Sequence, residues 1–177
     1  LVVLNDEIHA ARDVTKMHSQ SLDTFGSPFW GPLGRVDADH VSITRRVNRD
    51  IIPCPRLEPK VDLFKLAVGM GADLLRDAVM RSVRGVVIES FGGGRVPPPQ
   101  LEAIQQAVSQ GVSVVIATRC PAGRVYDQYG YTGAYRDLIR AGCLFAEGLN
   151  GQKARLRLMA VLGAARGPLE AKKLWTS

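Results

Sequence analysis

Three cysteines, three histidines and 6% aromatic residues are all that 177 positions hold of these types. Cys54, Cys120 and Cys143 include no close pair and leave an odd one over. That argues against a disulfide framework or a zinc site and fits a reducing compartment, so a cytoplasmic location is expected. His9 and His18 have no third ligand at metal spacing, and no metal or cofactor is expected. The net charge is +6, mostly arginine spread along the chain, with one knot at Arg45-Arg46 and Arg49. No aromatic residues are interleaved there to stack bases, so a solvated face is expected and nucleic acid is not. No apolar run reaches the ~20 residues of a membrane span, which excludes a helical membrane protein. There is also no internal repeat, low-complexity tract, initial methionine or signal-like segment. The chain opens Leu-Val-Val-Leu, as though already inside a β-strand, so an incomplete chain is expected.

What is present is enough to fold: 46% hydrophobic and 23% charged residues can bury a core and remain soluble. From residue 60 the pattern is regular. "VDLFKLAVGMG" predicts a strand and "ADLLRDAVMRSVRG" a helix with Leu75, Ala78, Val79 and Ser82 inward. "GVVIESF" and "VSVVIAT" are apolar runs of buried-strand length, and "CLFAEGL" predicts another strand. Between them, "PPQLEAIQQAVSQG" predicts a helix with Leu101, Ile104 and Val108 on one face and Gly111 as its stop. "AYRDLIRAG" predicts a short helix ended by Gly142. Asn150 is the expected cap of "GQKARLRLMAVLG", with Ala154, Leu158, Val161 and Leu162 as its apolar stripe. Such alternation implies a parallel sheet covered on both faces, with ligands at the carboxyl ends of its strands.

Residues 1–50 lack this rhythm. "LVVLNDEI" predicts one strand, residues 12–27 an irregular polar segment, and "GPLGRVDADHVSITRR" a hairpin turning near Asp37 to Asp39. "IIPCPRLEP" predicts a linker over 51–59. The expected fold is therefore α/β: a three-layer, Rossmann-like domain over 60–177, preceded by the end of another α/β domain over 1–50.

"ESFGGGRVPPPQ" passes from a strand through three glycines into a helix, the order of a phosphate cradle. Yet a dinucleotide fingerprint needs a glycine where the helix begins, and Val96-Pro97-Pro98-Pro99 stands there instead. Each proline also deletes an N–H that would hold phosphate. The loop is thus expected to bind a ligand other than a nucleotide. Arg95 leaves the turn where a carboxylate could meet its guanidinium, or else it is simply an exposed arginine. Asp127, with Tyr126, Tyr129 and Tyr131, forms either a polar pocket or a loop packed over the sheet edge. In Arg12-Asp13-Val14-Thr15-Lys16, a lysine beside a hydroxyl and a carboxylate can hold or accept a proton. The alternative there is a surface lysine beside an Arg–Asp pair. Ser19, Ser21 and Thr24 neighbour His18, but adjacency in sequence is no evidence for a triad.

The order of the pieces carries a resemblance. "LNDEIHAARDVTK", "SLDTFGSPFWGPLG", "GVVIESFGGGRVPPPQL", "GVSVVIATRCPAGRV" and "LNGQKARLRLMAVLG" follow one another as in the asparaginase family, from residue 1 to about residue 163. The resemblance implies a homo-dimer or homo-tetramer of two-domain α/β chains that hydrolyses the side-chain amide of L-asparagine to aspartate and ammonia. In that family a threonine attacks the amide, aided by a second threonine, an aspartate and a lysine. Lys16 matches the lysine, whereas the Thr-Gly-Gly-Thr and His-Gly-Thr-Asp motifs do not occur in this sequence. The chain accordingly resembles the family's C-terminal half, expected to be inactive alone. Its glycine loop is implied to lean over an amino-acid substrate, where an asparagine of the family is replaced by Arg95. Tyr129 stands where some members place a substrate-binding glutamate. The competing expectations are a non-catalytic α/β module that binds a small molecule or nucleotide, and a degenerate piece that does not fold alone.

Overall fold

Short polar turns break the first fifty residues into hairpins. The computed structural model describes residues 1–48 and 51–176, so Arg49 of the basic knot lies outside the described residues. Leu1–Asp50 and Ile51–Ser177 form two compact units. In the first, β1 (Val2–Leu4) and β2 (Glu7–His9) pair antiparallel. The single strand expected over residues 1–8 is thus two, because Asn5 and Asp6 both take left-handed φ, 49° and 60°. Asn and Asp tolerate that region, and consecutive positive φ is what a two-residue hairpin turn requires. A two-rung ladder joins β3 (Thr15–Lys16) to β4 (Phe25–Gly26) inside the segment expected to be irregular. The hairpin of β5 (Gly34–Asp37) and β6 (His40–Ile43) turns where the sequence predicts it. The sheet runs β1-β2-β5-β6 over a small core of Ile8, Ala10 and Leu33.

The second unit is a four-stranded parallel sheet. Its strands are β7 (Val61–Lys65), β8 (Gly85–Ser90), β9 (Ser113–Thr118) and β10 (Leu144–Phe145), paired in that order. The crossovers are α1 (Asp73–Met80), α2 (Pro98–Ser109) and α3 (Tyr135–Arg140). Because the strands are laid down in sequential order, right-handed crossovers all fall on one face of the sheet. Leu75, Ala78, Leu101, Ile104 and Leu138 accordingly share one core with Val86, Ile88, Val114 and Ile116. The opposite face, carrying Val61, Val87, Val115 and Ala117, needs a cover of its own. It receives α4 (Gly151–Ala164) through Ala154, Leu158 and Val161, and α5 (Pro168–Thr176) through Ala171 and Trp175.

Several local expectations need correction. Ser82, expected inward, lies beyond α1, exposed and with φ 58°, and Val83 takes the buried position. "CLFAEGL" keeps only two strand residues, since Glu147 and Gly148 turn the chain with φ 48° and 89° towards α4. Helix α5 was not expected at all, although Trp175 anchors it by donating from Nε1 to Phe145 O at 2.8 Å. Residues 51–59 have no regular structure and lie against α4, where Glu58 N donates to Met159 O at 2.9 Å. Among the described residues, no helix is long and apolar enough to cross a membrane.

Candidate functional site

Strands β8 and β9 end side by side, Ser90 paired with Thr118, and the loops that follow them build the site. After β8 the chain makes a closed turn. Phe91 N donates to Arg95 O at 3.1 Å, and the N–H groups of Gly94 and Arg95 both donate back to Phe91 O, at 3.0 and 3.1 Å. Gly94 has φ 102°, and a Cβ there would stand 2.2 Å from Val125 Cγ1, so a side chain is excluded twice over. From the neighbouring strand end, the Thr118 hydroxyl donates to Gly92 O at 2.7 Å and accepts from Cys120 N at 3.1 Å. Val96 N is also committed, to Gly133 O at 3.0 Å. A phosphate cradle directs its N–H groups at the ligand. Here those of Gly94, Arg95 and Val96 are spent within the protein, and Pro97 to Pro99 have none.

What the turn presents instead is Arg95. Its guanidinium lies 5.1 Å from the ring centroid of Tyr129 and 5.3 Å from that of Tyr131. The two rings are 5.5 Å apart and tilted by 37°. Arg95 Nη1 donates to the Tyr131 hydroxyl. The structure thus brings together Arg95 and Tyr129, and adds Tyr131, whose contact joins residues 36 positions apart. The tyrosine loop is strapped to the glycine turn at both ends, by Tyr126 N donating to Gly93 O at 3.1 Å and by the Val96–Gly133 bond. Phe91, Arg95, Val96, Pro97, Pro98, Tyr131 and Thr132 line a groove of about 510 Å³. Asp127, considered as a pocket residue, accepts from Arg136 Nε at 2.8 Å and does not line that groove.

Glu89, one residue before the end of β8, is a functional-looking group that no sequence motif singles out. It is 8% exposed, accepts from Gly151 N at 3.1 Å and lies 3.1 Å from Lys65 Nζ. A carboxylate at a helix N-terminus suits both the free N–H groups and the dipole. Together with Asn150, whose side chain accepts from Lys153 N at 3.0 Å, it fixes the start of α4 to the sheet. The available signal was a lone acid inside the apolar run "GVVIESF".

Lys16 belongs to the first unit. It sits on β3 with its side chain exposed and its ammonium 5.5 Å from the Phe25 ring centroid. The side chain of Asp13 nearby is 4% exposed. Arg45 Nη2 donates to Asp13 Oδ2 at 2.8 Å and to Gly31 O at 2.9 Å, while Arg12 Nε is 3.5 Å from Asp13 Oδ1. The dominant partner of Asp13 therefore comes from 32 residues away, not from its neighbour in sequence. His18 Nδ1 accepts from the backbone N–H of Gln20 and Ser21, a turn contact and no triad. His9 is fully buried between Ser27 Oγ at 3.0 Å and Glu7 Oε2 at 3.3 Å. Among the described residues, no group of three His, Cys, Asp or Glu side chains could hold a metal ion.

Comparison with known proteins places these elements. The family model for the asparaginase N-terminal domain matches residues 1–49, and that for the glutaminase/asparaginase C-terminal domain matches residues 60–175. L-asparaginase of Bacillus licheniformis is 35% identical over 97% of this chain and 54% of the relative. A probable L-asparaginase of Deinococcus radiodurans is 33% identical over 99% of this chain and 55% of its own length. A glutamyl-tRNA(Gln) amidotransferase component of Methanosarcina barkeri is 32% identical over 95% of this chain and 41% of its own length. The chain thus spans about half the length, or less, of these relatives. With a C-terminal domain model covering most of the sequence, and the N-terminal model covering most of what precedes it, the chain belongs to the asparaginase family.

Proposed function

We propose that this chain forms part of an amidohydrolase that converts L-asparagine to L-aspartate and ammonia, working in the cytoplasm as a homo-dimer or homo-tetramer. The observation that carries this reading is the ordered match over both domains, with Lys16 closing Arg-Asp-Val-Thr-Lys in the first. In such a reaction a hydroxyl adds to the amide carbonyl, the C–N bond breaks as nitrogen leaves as ammonia, and water then releases the acid. Lys16 would manage the proton of the attacking hydroxyl, which requires a less exposed setting than β3 alone gives it. Arg95 and Tyr129 would contact the substrate, held in place by the strapped tyrosine loop. The nucleophile itself would come from sequence outside these residues.

The test has two parts. Purified 177-residue chain should release no ammonia from L-asparagine above background, since nucleophilic catalysis needs the hydroxyl and a preorganised oxyanion site. The upstream reading frame should encode Thr-Gly-Gly-Thr and His-Gly-Thr-Asp segments, and a frame without them sinks the proposal. A second reading, part of a tRNA-linked amidotransferase, is supported by the glutamyl-tRNA(Gln) amidotransferase relatives at 30–33% identity. It requires amide cleavage that depends on glutamyl-tRNA(Gln). Cleavage of free L-asparagine without RNA separates the two. The nucleotide form of the non-catalytic module draws less support from this loop, because the N–H groups of Gly94, Arg95 and Val96 are bonded internally and Pro97 to Pro99 have none.

A further inference from the structure

We propose that the groove beside Arg95 is a binding site for a carboxylate carried on an apolar, planar body. The site shares Arg95 with the proposed amide-binding loop, but the inference rests on the groove's own chemistry and goes beyond hydrolysis.

Three features point to this ligand. The first is an uncompensated, pre-aimed cation. Among the described residues, no carboxylate lies within ion-pair distance of Arg95, and its Nε is buried without a hydrogen-bond partner. The acids that flank the tyrosine loop are engaged elsewhere: Asp127 by Arg136, and Asp137 by Gly133 N and Arg140. Contact with Tyr129 and Tyr131 holds the guanidinium plane in one orientation, so little further ordering is needed when an anion arrives.

The second feature is the Tyr131 hydroxyl. Since it accepts from Arg95 Nη1, its own proton remains available to donate into the groove. A carboxylate can take one bond from the guanidinium and one from this hydroxyl. A phosphate, with more oxygens to satisfy, would meet the N–H-less prolines instead.

The third is the apolar wall of the groove. Phe91, Val96, Pro97 and Pro98 are apolar and stiff, and a space of about 510 Å³ falls within the ~300–1,000 Å³ of small-molecule sites. An amino acid alone would leave that wall uncovered; a carboxylate with an aryl or cyclic body would cover it.

The test is a titration of the intact 177-residue chain, followed by backbone NMR shifts, with 3-phenylpropionate, its neutral amide 3-phenylpropionamide, and L-aspartate. The acid should saturate, with shifts centred on residues 91–98 and 129–132. The neutral amide should bind about 10- to 100-fold more weakly, the loss expected when a charge-assisted hydrogen bond is removed. L-Aspartate, lacking the apolar body, should also bind more weakly than the acid. Arg95→Gln should reproduce the loss seen with the amide, and Tyr131→Phe, which keeps the ring, should cost about three- to tenfold. Should Arg95→Gln fail to fold, Tyr131→Phe and the neutral probe decide the matter. Equal binding of acid and amide, shifts centred elsewhere, or no saturation overturns the proposal. None of these outcomes bears on ammonia release, which tests the amidohydrolase reading separately.

Discussion

The two units of this chain bury their apolar residues in different ways. In Ile51–Ser177, two continuous cores lie on opposite faces of one parallel sheet, and every residue of β8 is buried. In Leu1–Asp50, among the described residues, the apolar cluster holds Ile8, Ala10 and Leu33, with Val36 and Val47 packed against it. Val3, Val41 and Ile43 stand more than half exposed on its strands. Helices joined through parallel crossovers must pack back onto one face of their sheet, and α4 and α5 cover the other. Antiparallel hairpins carry no such obligation. Stability should therefore reside in the second unit. In the first, specific polar contacts such as Arg45 with Asp13 hold the local geometry.

The largest expected contrast is chemical. Burial pushes the Cys143 thiol up to about 12, whereas Cys120 is exposed. Alkylation at pH 8 should modify Cys120 and spare Cys143, whose thiolate is depleted on the order of a thousandfold. The sign for stability follows from the same shift. The unfolded thiol ionises near ~8.5, so Cys143 stabilises the fold below that pH, and the contribution fades as pH rises towards about 12. Peptide mapping after labelling checks this, and rapid loss of Cys143 would mean that the core opens readily.

Next comes Leu158→Ala, which empties the centre of the α4 core and should cost about 2–5 kcal/mol in denaturant unfolding. Val41→Thr in the first unit, at 57% exposure, should change stability by no more than about 0.5 kcal/mol. Similar costs for the two would erase the contrast.

This contrast was partly legible in the sequence. Buried parallel strands are apolar throughout, so "GVVIESF" and "VSVVIAT" announced β8 and β9, and Gly111 and Gly142 marked helix ends at φ 84° and 86°. Helix α5 escaped because its buried face amounts to Ala171 and Trp175 alone, too few for a periodic signal. The split of β1 from β2 was hidden by expecting one strand across Asn5-Asp6, a dipeptide whose chemistry favours a turn. At the candidate site the glycine turn and Arg95 were visible. Their contact with Tyr131 and the bond from Arg45 to Asp13 were not, since pairs 36 and 32 residues apart leave no periodic trace.

A smaller effect sharpens the picture at the site. Gly94→Ala forces a side chain onto φ 102° and into Val125, and should cost about 1–3 kcal/mol while displacing the tyrosine loop. Smaller still is Asn150→Ala, which removes the α4 cap and should cost about 1 kcal/mol. If it costs nothing, Glu89 alone is holding the helix start.

The central claim is that Lys16 serves an amide-cleaving site, and its direct test is the rate of ammonia release from L-asparagine by the protein extended through its upstream reading frame. Lys16→Met keeps most of the side chain's bulk and removes its titrating group. The account predicts a fall in kcat of about 10²- to 10⁴-fold with unfolding midpoints unchanged. A folded Lys16→Met protein that turns over like the wild type would contradict it, leaving Lys16 as an exposed charge over Phe25.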